Sequence, residues 1–228
     1  MDLQQRKLWN ENHKKLTEII LKPTEHVNAI ELFLHQYALL YSSQMDDSGI
    51  HTLEDELLNN LTEETFRRYP VASQDTQNSV AWHIWHIARI EDMTMNILVG
   101  DFDQVLYSGD WVNKLKIDFI HSGNEMTEDE IAELSRKIDV DALLFYRIEV
   151  ARKTRKIVES LQPGQFKQKV DSVKIKKLLD QGAVKREAGW LLDYWGNKTV
   201  AGLILMPATR HNFLHLNKSI RIKNKIQK

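Results

Sequence analysis

Apolar positions recur at helical spacing along most of the chain. Among the charges of residues 3 to 21, Leu3, Leu8, Leu16, Ile19 and Ile20 mark an N-terminal helix ended by Lys22 and Pro23. It reads as an addition to the core. Thr24 offers a capping start for EHVNAIELFLHQYALLYSS, in which Val27, Ile30, Leu34, Ala38 and Tyr41 have the spacing of a helix face. A weaker helix is predicted over Leu53 to Arg68, closing at Pro70 and followed by the polar loop ASQDTQNS. Asn78 or Ser79 then caps the long segment SVAWHIWHIARIEDMTMNILVG, which stops at Gly100 as helices commonly do.

Residues 101 to 127, with Gly109 and Gly123, read as a long connection holding one helical turn around Trp111 to Phe119. Thr127 with Glu130 three residues later has capping-box spacing. The helix it starts breaks near Asp139, where Asp141 is the candidate cap of the next, DALLFYRIEVARKTRKIVESL, which runs to Pro163 and Gly164. Val170 to Gly182 and Glu187 to Tyr194 suggest short helices, and Asn197 or Thr199 starts the last long one, TVAGLILMPATRHNFLHLNKSIRI. Long amphipathic helices with shorter pieces between them predict an all-α four-helix bundle, one domain over residues 1–228 with 1–23 as an N-terminal extension helix.

Composition narrows the classes of function. The 228 residues carry 9 Gly and 4 Pro, with 42% hydrophobic and 28% charged positions, which suits an ordered helical protein. The formal net charge of -1 argues against a nucleic-acid partner. The one basic run, Arg221, Lys223, Lys225 and Lys228, reads as a solvated helix end and tail. With no cysteine, disulfides, thiolate ligands and a cysteine nucleophile are all excluded, so any thiol chemistry must use a thiol brought by a substrate. The N-terminus MDLQQRKLWNENHKKL has no signal-type apolar core and no apolar run reaches the length of a membrane span, so a cytoplasmic protein without a membrane partner is expected.

The chemistry concentrates in the histidines. His13, His26, His51 and His121 sit in polar surroundings and read as surface residues, while His35 on the first bundle helix has no second donor beside it in sequence. His211 and His215 are spaced i, i+4, which places two imidazoles about 40° apart on one helix face and within reach of a single metal. The apolar neighbours Leu203, Ile204, Met206 and Leu214 point to burial, where imidazole nitrogens need partners. A third ligand must come from another helix, and His83 and His86 are the other clustered histidines. Helical geometry alone puts His83 nearer the Val80, Ile84, Ile87 face and His86 toward Ile90, Met93 and Ile97, and slightly favours His83.

The stretch from Ser79 to Ala88, SVAWHIWHIA, resembles the second-helix motif of the DinB/YfiT-like metalloprotein superfamily, in which a serine or threonine is followed seven residues later by a histidine, here His86. RHNFLH, residues 210 to 215, is similar to the HxxxH of that superfamily's fourth helix. The resemblance spans about residues 24 to 222. It implies an up-down-down-up bundle, frequently a homodimer, with nickel or zinc held by His86, His211 and His215 and open positions left for water. Two departures stand out: Asn78 replaces the aromatic that often precedes the serine, and Pro207 interrupts the last helix one turn before His211, where a kink is expected.

Three nitrogen ligands with an open position suit a catalytic divalent metal, whereas His83 as a fourth ligand would close the site. Glu91 is the candidate proton shuttle or outer acceptor orienting an imidazole, and Asp92 shares the latter role; alternatively Asp92 is solvated and Glu91 pairs with a basic residue. Arg89 and Arg210 could each anchor a carboxylate or pair with an acidic side chain, and Trp82, Trp85, Trp111, Trp190 and Trp195 either line a cavity or pack the core. The superfamily resembled includes transferases and isomerases that use low-molecular-weight thiols. A metal-dependent thiol S-transferase acting on a small-molecule substrate is therefore the first expectation. A metal-dependent hydrolase and a non-catalytic metal-binding or stress-response protein are the alternatives.

Overall fold

A computed structural model describes residues 3–45 and 49–227, so Lys228 of the basic run lies outside the described residues. The chain opens with α1 (Leu3–Ile19) and α2 (His26–Ala38), followed by the short α3 (Leu53–Leu58) and α4 (Glu63–Arg67). Next comes α5 (Val80–Glu91), which continues as the π-helical stretch Asp92–Val99. Two single turns, α6 (Val105–Ser108) and α7 (Trp111–Lys114), precede α8 (Glu128–Lys137) and the long α9 (Val140–Ser160). After α10 (Ser172–Asp180) and α11 (Trp190–Gly196), the last bundle helix is α12 (Val200–Leu205), a π-helical stretch Met206–His211, and α13 (Asn212–Ile226). Among the described residues there is no strand, and the bridges Ser73 to Thr76 and Lys169 to Thr199 stand alone.

The bundle consists of α2, α5, α9 and the α12–α13 unit, and paired residues give their directions. On α5 and α9, Asp92 meets Tyr146 while Gly100, farther along, abuts Ile157, so these two run parallel. α13 runs against α5, because His83 meets His215 and Glu91 meets Asn212. α2 runs against α9, with His26 bonded to the Leu161 carbonyl and the Leu40 carbonyl bonded to Arg147. This is the up-down-down-up order. Parallel neighbours cannot be joined by a tight turn, which is why the long connection after Gly100 exists.

Every residue of α5 is buried, as befits a helix with neighbours on all sides. Its start is local chemistry: the Ser79 hydroxyl accepts from the Trp82 amide at 3.0 Å. Thr127 and Glu130 form the capping box expected of them, and Thr199 caps α12. α9 is capped by Asp139, whose carboxylate accepts from the Ala142 amide at 3.0 Å, in place of the expected Asp141. A second, smaller apolar cluster packs α10 and α11 onto the far half of the α5 rod through Met93, Ile97, Leu178 and Trp195.

Several expectations are corrected. Thr24 caps nothing, since α2 follows a 3-10 turn Pro23–Glu25 and its N-cap Glu25 makes no capping bond. α2 buries Ala29, Phe33 and Tyr37 at its centre, so Val27 is 64% exposed and Ile30, Leu34 and Ala38 sit half-buried at the edge of the core, while Tyr41 beyond the helix is fully buried. The helix expected over 53–68 is two, separated at Asn60 (φ 56) and restarted by the Thr62 cap. α1 is tied in closely: Trp9 is 1% exposed, stacks on Phe213 at 4.0 Å and donates to the Gln36 carbonyl. The basic run is likewise engaged, Arg221 with Asp75, Lys223 with the Glu56 and Asn59 carbonyls, and Lys225 with Ala72, so α13 clamps the 56–75 segment.

Candidate metal centre

Where α5 crosses α13, three imidazoles converge. His86, His211 and His215 each present a ring nitrogen such that the three lie within 4.8 Å of one another, a group that could hold a metal ion. Ring centroids are 5.0 Å apart for His86 with His211, 5.0 Å for His86 with His215 and 4.4 Å for His211 with His215. The wide turn at Met206–His211 sits at Pro207, which lacks an amide hydrogen and cannot continue an α-helix ladder. The carbonyls it loosens find side-chain donors: Thr209 Oγ1 donates to Ile204 and Leu205, and Asn212 Nδ2 donates to Pro207 at 3.0 Å. The expected kink is thus a π turn that ends on His211.

One ring has its tautomer set by a neighbour, and a second is held in a hydrogen-bonded chain. His86 Nδ1 lies 2.6 Å from the Ser122 carbonyl, which can only accept, so the proton is on Nδ1 and the Nε2 lone pair is free. His215 Nδ1 lies 2.8 Å from His83 Nδ1, and His83 Nε2 lies 3.1 Å from Thr76 Oγ1. Two proton arrangements satisfy this chain, and a bound metal selects the one in which His215 donates to His83 and His83 to Thr76, because it alone leaves Nε2 of His215 with a free lone pair. His211 Nδ1 is buried and has no partner. A buried nitrogen without a hydrogen bond is uncommon, and an ion ligated by this nitrogen accounts for it.

The rings are held neutral. Burial, with His86 adding to it, draws His83 down to about 3. Burial brings His86 to about 4 against the opposing pull of the Ser122 carbonyl. Burial and the neighbouring imidazoles put His211 and His215 well below the ordinary histidine range. Neutral imidazole is the form that binds a divalent metal.

The loop under His86 needs a glycine. Gly123 has φ +87, and a Cβ there would stand 2.5 Å from the Trp85 ring and 3.4 Å from His86 Nδ1. Its neighbour Ser122 is anchored by donating its amide to the Ala183 carbonyl at 2.9 Å. Trp82 stacks on His86 at 4.5 Å with planes 12° apart. On the far side, His86 and His211 edge a cavity of about 210 Å³ whose wall includes Asn124, Trp190, Tyr194 and Trp195.

The sequence profile of the DinB superfamily matches residues 53–217. The chain belongs to the DinB superfamily. This DinB superfamily protein is also similar to a solved structure described as a conserved protein of a locus from Enterococcus faecalis, with a TM-score of 0.50 and 18% identity over 76% of this chain and 89% of that one. At that identity the likeness speaks for the fold. No curated protein matches the chain.

Other residues singled out by sequence fall elsewhere in this DinB superfamily member. Glu91 is fully buried with both oxygens occupied: Tyr37 and Thr154 donate to Oε1, Tyr41 and Asn212 to Oε2. None of its hydrogen bonds among the described residues reaches a histidine, and it pairs with no basic side chain directly. The outer partners that orient the imidazoles are Ser122 and His83 instead. Asp92, far from being solvated, accepts from Arg89, Tyr146, Asn96 and the Val105 and Leu106 amides. Arg89 is spent inside that network, and Arg210 bonds Asn10 on α1.

Among the tryptophans, Trp190 and Trp195 line the cavity while Trp111 packs against Tyr146. Three histidines read as surface residues are not: His26 is 9% exposed, His13 bonds the Leu205 carbonyl, and His121, drawn to about 4 by burial, accepts from the Gly123 amide beside Trp85. His51 and His35 are exposed. Sequence reasoning passed over Thr76, Ser122 and Asn124 altogether and noted Gly123 only as a turn residue. A serine or asparagine in a loop carries no periodic signal, and this loop is marked as part of the site by the Ser122 carbonyl on His86, Asn124 in the cavity wall and the closeness of the Gly123 backbone to the Trp85 ring.

Proposed function

We propose that this protein is a metal-dependent enzyme in which His86, His211 and His215 hold one divalent ion, zinc or nickel, and that it transfers a low-molecular-weight thiol to a small-molecule substrate. The observation that carries the reading is the neutral three-nitrogen cluster with a cavity on one side: three ligands and an open side suit catalysis better than a closed structural site. His83 does not close the set, because its Nδ1 is turned to His215 and its Nε2 to Thr76. Bound there, a divalent ion supplies Lewis acidity that lowers the pKa of a coordinated thiol or water.

The protein's own contribution is orientation and exclusion of water. The Ser122 carbonyl holds His86 in the tautomer that presents a lone pair, His83 orients the His215 ring, Trp82 stacks against His86, and the aromatic wall limits access to one side. No Asp or Glu stands among the residues lining the cavity, and Glu91 is committed to its four donors. A hydrolase needs a base for the proton of water, so this lining favours a thiol, whose proton leaves for solvent far more readily.

The test is metal content by inductively coupled plasma mass spectrometry on tag-free protein and on His86→Ala, His211→Ala and His215→Ala, followed by thiol-conjugation assays with chromogenic electrophiles. One ion per chain, lost in the three variants, with conjugation that depends on it, supports the proposal. Absence of metal after supplementation with zinc and nickel overturns it.

A further inference from the structure

The cavity beside the triad has a chemistry of its own. Beyond the two imidazoles, its wall is built from Ile90, Trp190, Leu191, Tyr194, Trp195 and Met206, and no Asp, Glu, Lys or Arg lines it. A charged group placed against such a wall sheds hydration and finds no counter-charge on the lining side chains, which disfavours its entry. The volume of about 210 Å³ sets the scale of what fits. A cavity of about 150 Å³ lined by apolar side chains admits benzene, so this one takes a single ring with a few further atoms.

Polarity enters the wall at few points. Asn124 Oδ1 is buried without a hydrogen-bond partner, as is His211 Nδ1. Buried acceptors are normally satisfied, and a donor on the occupant meets this need for Asn124. Trp190 and Tyr194, four residues apart on α11, are 52% and 38% exposed and form an aromatic lip at the mouth. Large aromatics left half open beside an apolar cavity mark an entrance for a flat apolar molecule.

We infer that the cavity receives an uncharged, ring-sized apolar molecule that carries a hydrogen-bond donor for Asn124 Oδ1. Its role as the acceptor substrate rests on the metal-enzyme reading above, but its binding does not. A low-molecular-weight thiol bearing carboxylate or ammonium groups stays at the mouth, with its sulfur toward the histidines and its charges in water.

The test measures binding of benzamide, benzylammonium and toluene to the full-length protein, zinc-loaded and after chelation, by calorimetry and tryptophan fluorescence. Benzamide is uncharged and carries an N–H donor, benzylammonium adds a charge, and toluene lacks the donor. Benzamide is expected to bind at least tenfold more tightly than benzylammonium in both forms. Trp190→Ala, at a half-exposed position that leaves the core intact, weakens benzamide and toluene alike, by about tenfold. Asn124→Ala weakens benzamide by about tenfold and leaves toluene unchanged, which a merely structural role for Asn124 would not do. Equal affinity for benzamide and benzylammonium, or indifference of all three ligands to Trp190→Ala, overturns the inference even where zinc binds as proposed. Retention of the benzamide preference in a protein that takes up no metal upholds the inference and removes only the metal-enzyme reading.

Discussion

His83 Nδ1 stands 2.8 Å from Nδ1 of His215, and the other nitrogen of His83 stands 3.1 Å from the Thr76 hydroxyl. When the proton between the two rings belongs to His215, its Nε2 is free for the ion that His86 and His211 share. His83→Leu removes the acceptor and lets the His215 ring rotate. Zinc affinity measured by competition with a chromogenic chelator is expected to fall about 10- to 100-fold, with the helical circular dichroism unchanged. Affinity equal to that of the native chain would mean that packing alone aligns His215.

Gly123 is the most sensitive position of the loop beneath the site. Gly123→Ala puts a methyl group 2.5 Å from the Trp85 ring at a backbone φ of +87, and a backbone shift that relieves them moves the adjoining Ser122 carbonyl relative to His86. A stability loss of about 1–3 kcal/mol in urea titration is expected, together with weakened zinc binding. Loss of stability with full zinc affinity would show that the Ser122 carbonyl is dispensable.

Glu91→Leu tests whether that carboxylate serves the bundle or the chemistry. The substitution strips four donors of their shared acceptor and leaves them buried, so destabilisation of about 3–5 kcal/mol is expected. The milder Glu91→Gln is expected to keep the metal stoichiometry of the native chain, because none of the hydrogen bonds of Glu91 among the described residues reaches a histidine. Loss of metal from a folded Glu91→Gln protein would place this carboxylate in the site after all.

Acid acts on the metal-free protein through the cluster. The unfolded chain protonates its histidines near 6.5, whereas the folded state holds His86 at about 4 and His83 at about 3. Below 6.5 the unfolded state binds more protons, so stability is full above that pH and declines as pH falls toward 4. Each such histidine adds a slope of at most about 1.4 kcal/mol per pH unit. Urea titrations of the chelated protein at pH 7.5, 6.0 and 5.0 are expected to show this decline, and His86→Ala to make it shallower. Zinc raises the stability at pH 7.5, since it binds the folded form.

How much of this was legible in the sequence depended on how local each cause was. Ser79, Thr127 and Thr199 cap the helices that follow them because a hydroxyl and an amide three residues on are enough. The meeting of His86 with His211 and His215 was readable from two short motifs, and the disturbance at Pro207 from a missing amide. On α2 the expected stripe is displaced only at Val27, because Phe33 and Tyr37 take the centre of the core and the buried acceptor that receives Tyr37, Glu91, lies far away in the chain. Glu91 and Asp92 read in the sequence as acceptors beside the metal, or as an ion-pair partner and a solvated acid, because most of the tyrosines and amides that surround them arrive from elements far away in the chain. His83 differs from His86 by less than one helical turn, and which ring points to the ligand group is settled by Thr76 and Ser122, neither of which belongs to a helix.

The small cluster formed by α10, α11 and the far half of the α5 rod separates two jobs. The nitrogen donors sit in the main core, where any change disturbs the bundle, whereas Trp190, Leu191 and Tyr194 arrive on a segment inserted between α9 and α12. Changes at Trp190, Leu191 and Tyr194 can alter which molecules enter while the ring nitrogens stay where they are, provided Ala183 of the same segment keeps its carbonyl on Ser122. In this architecture the range of accepted molecules and the reactive centre are therefore free to diversify at different rates.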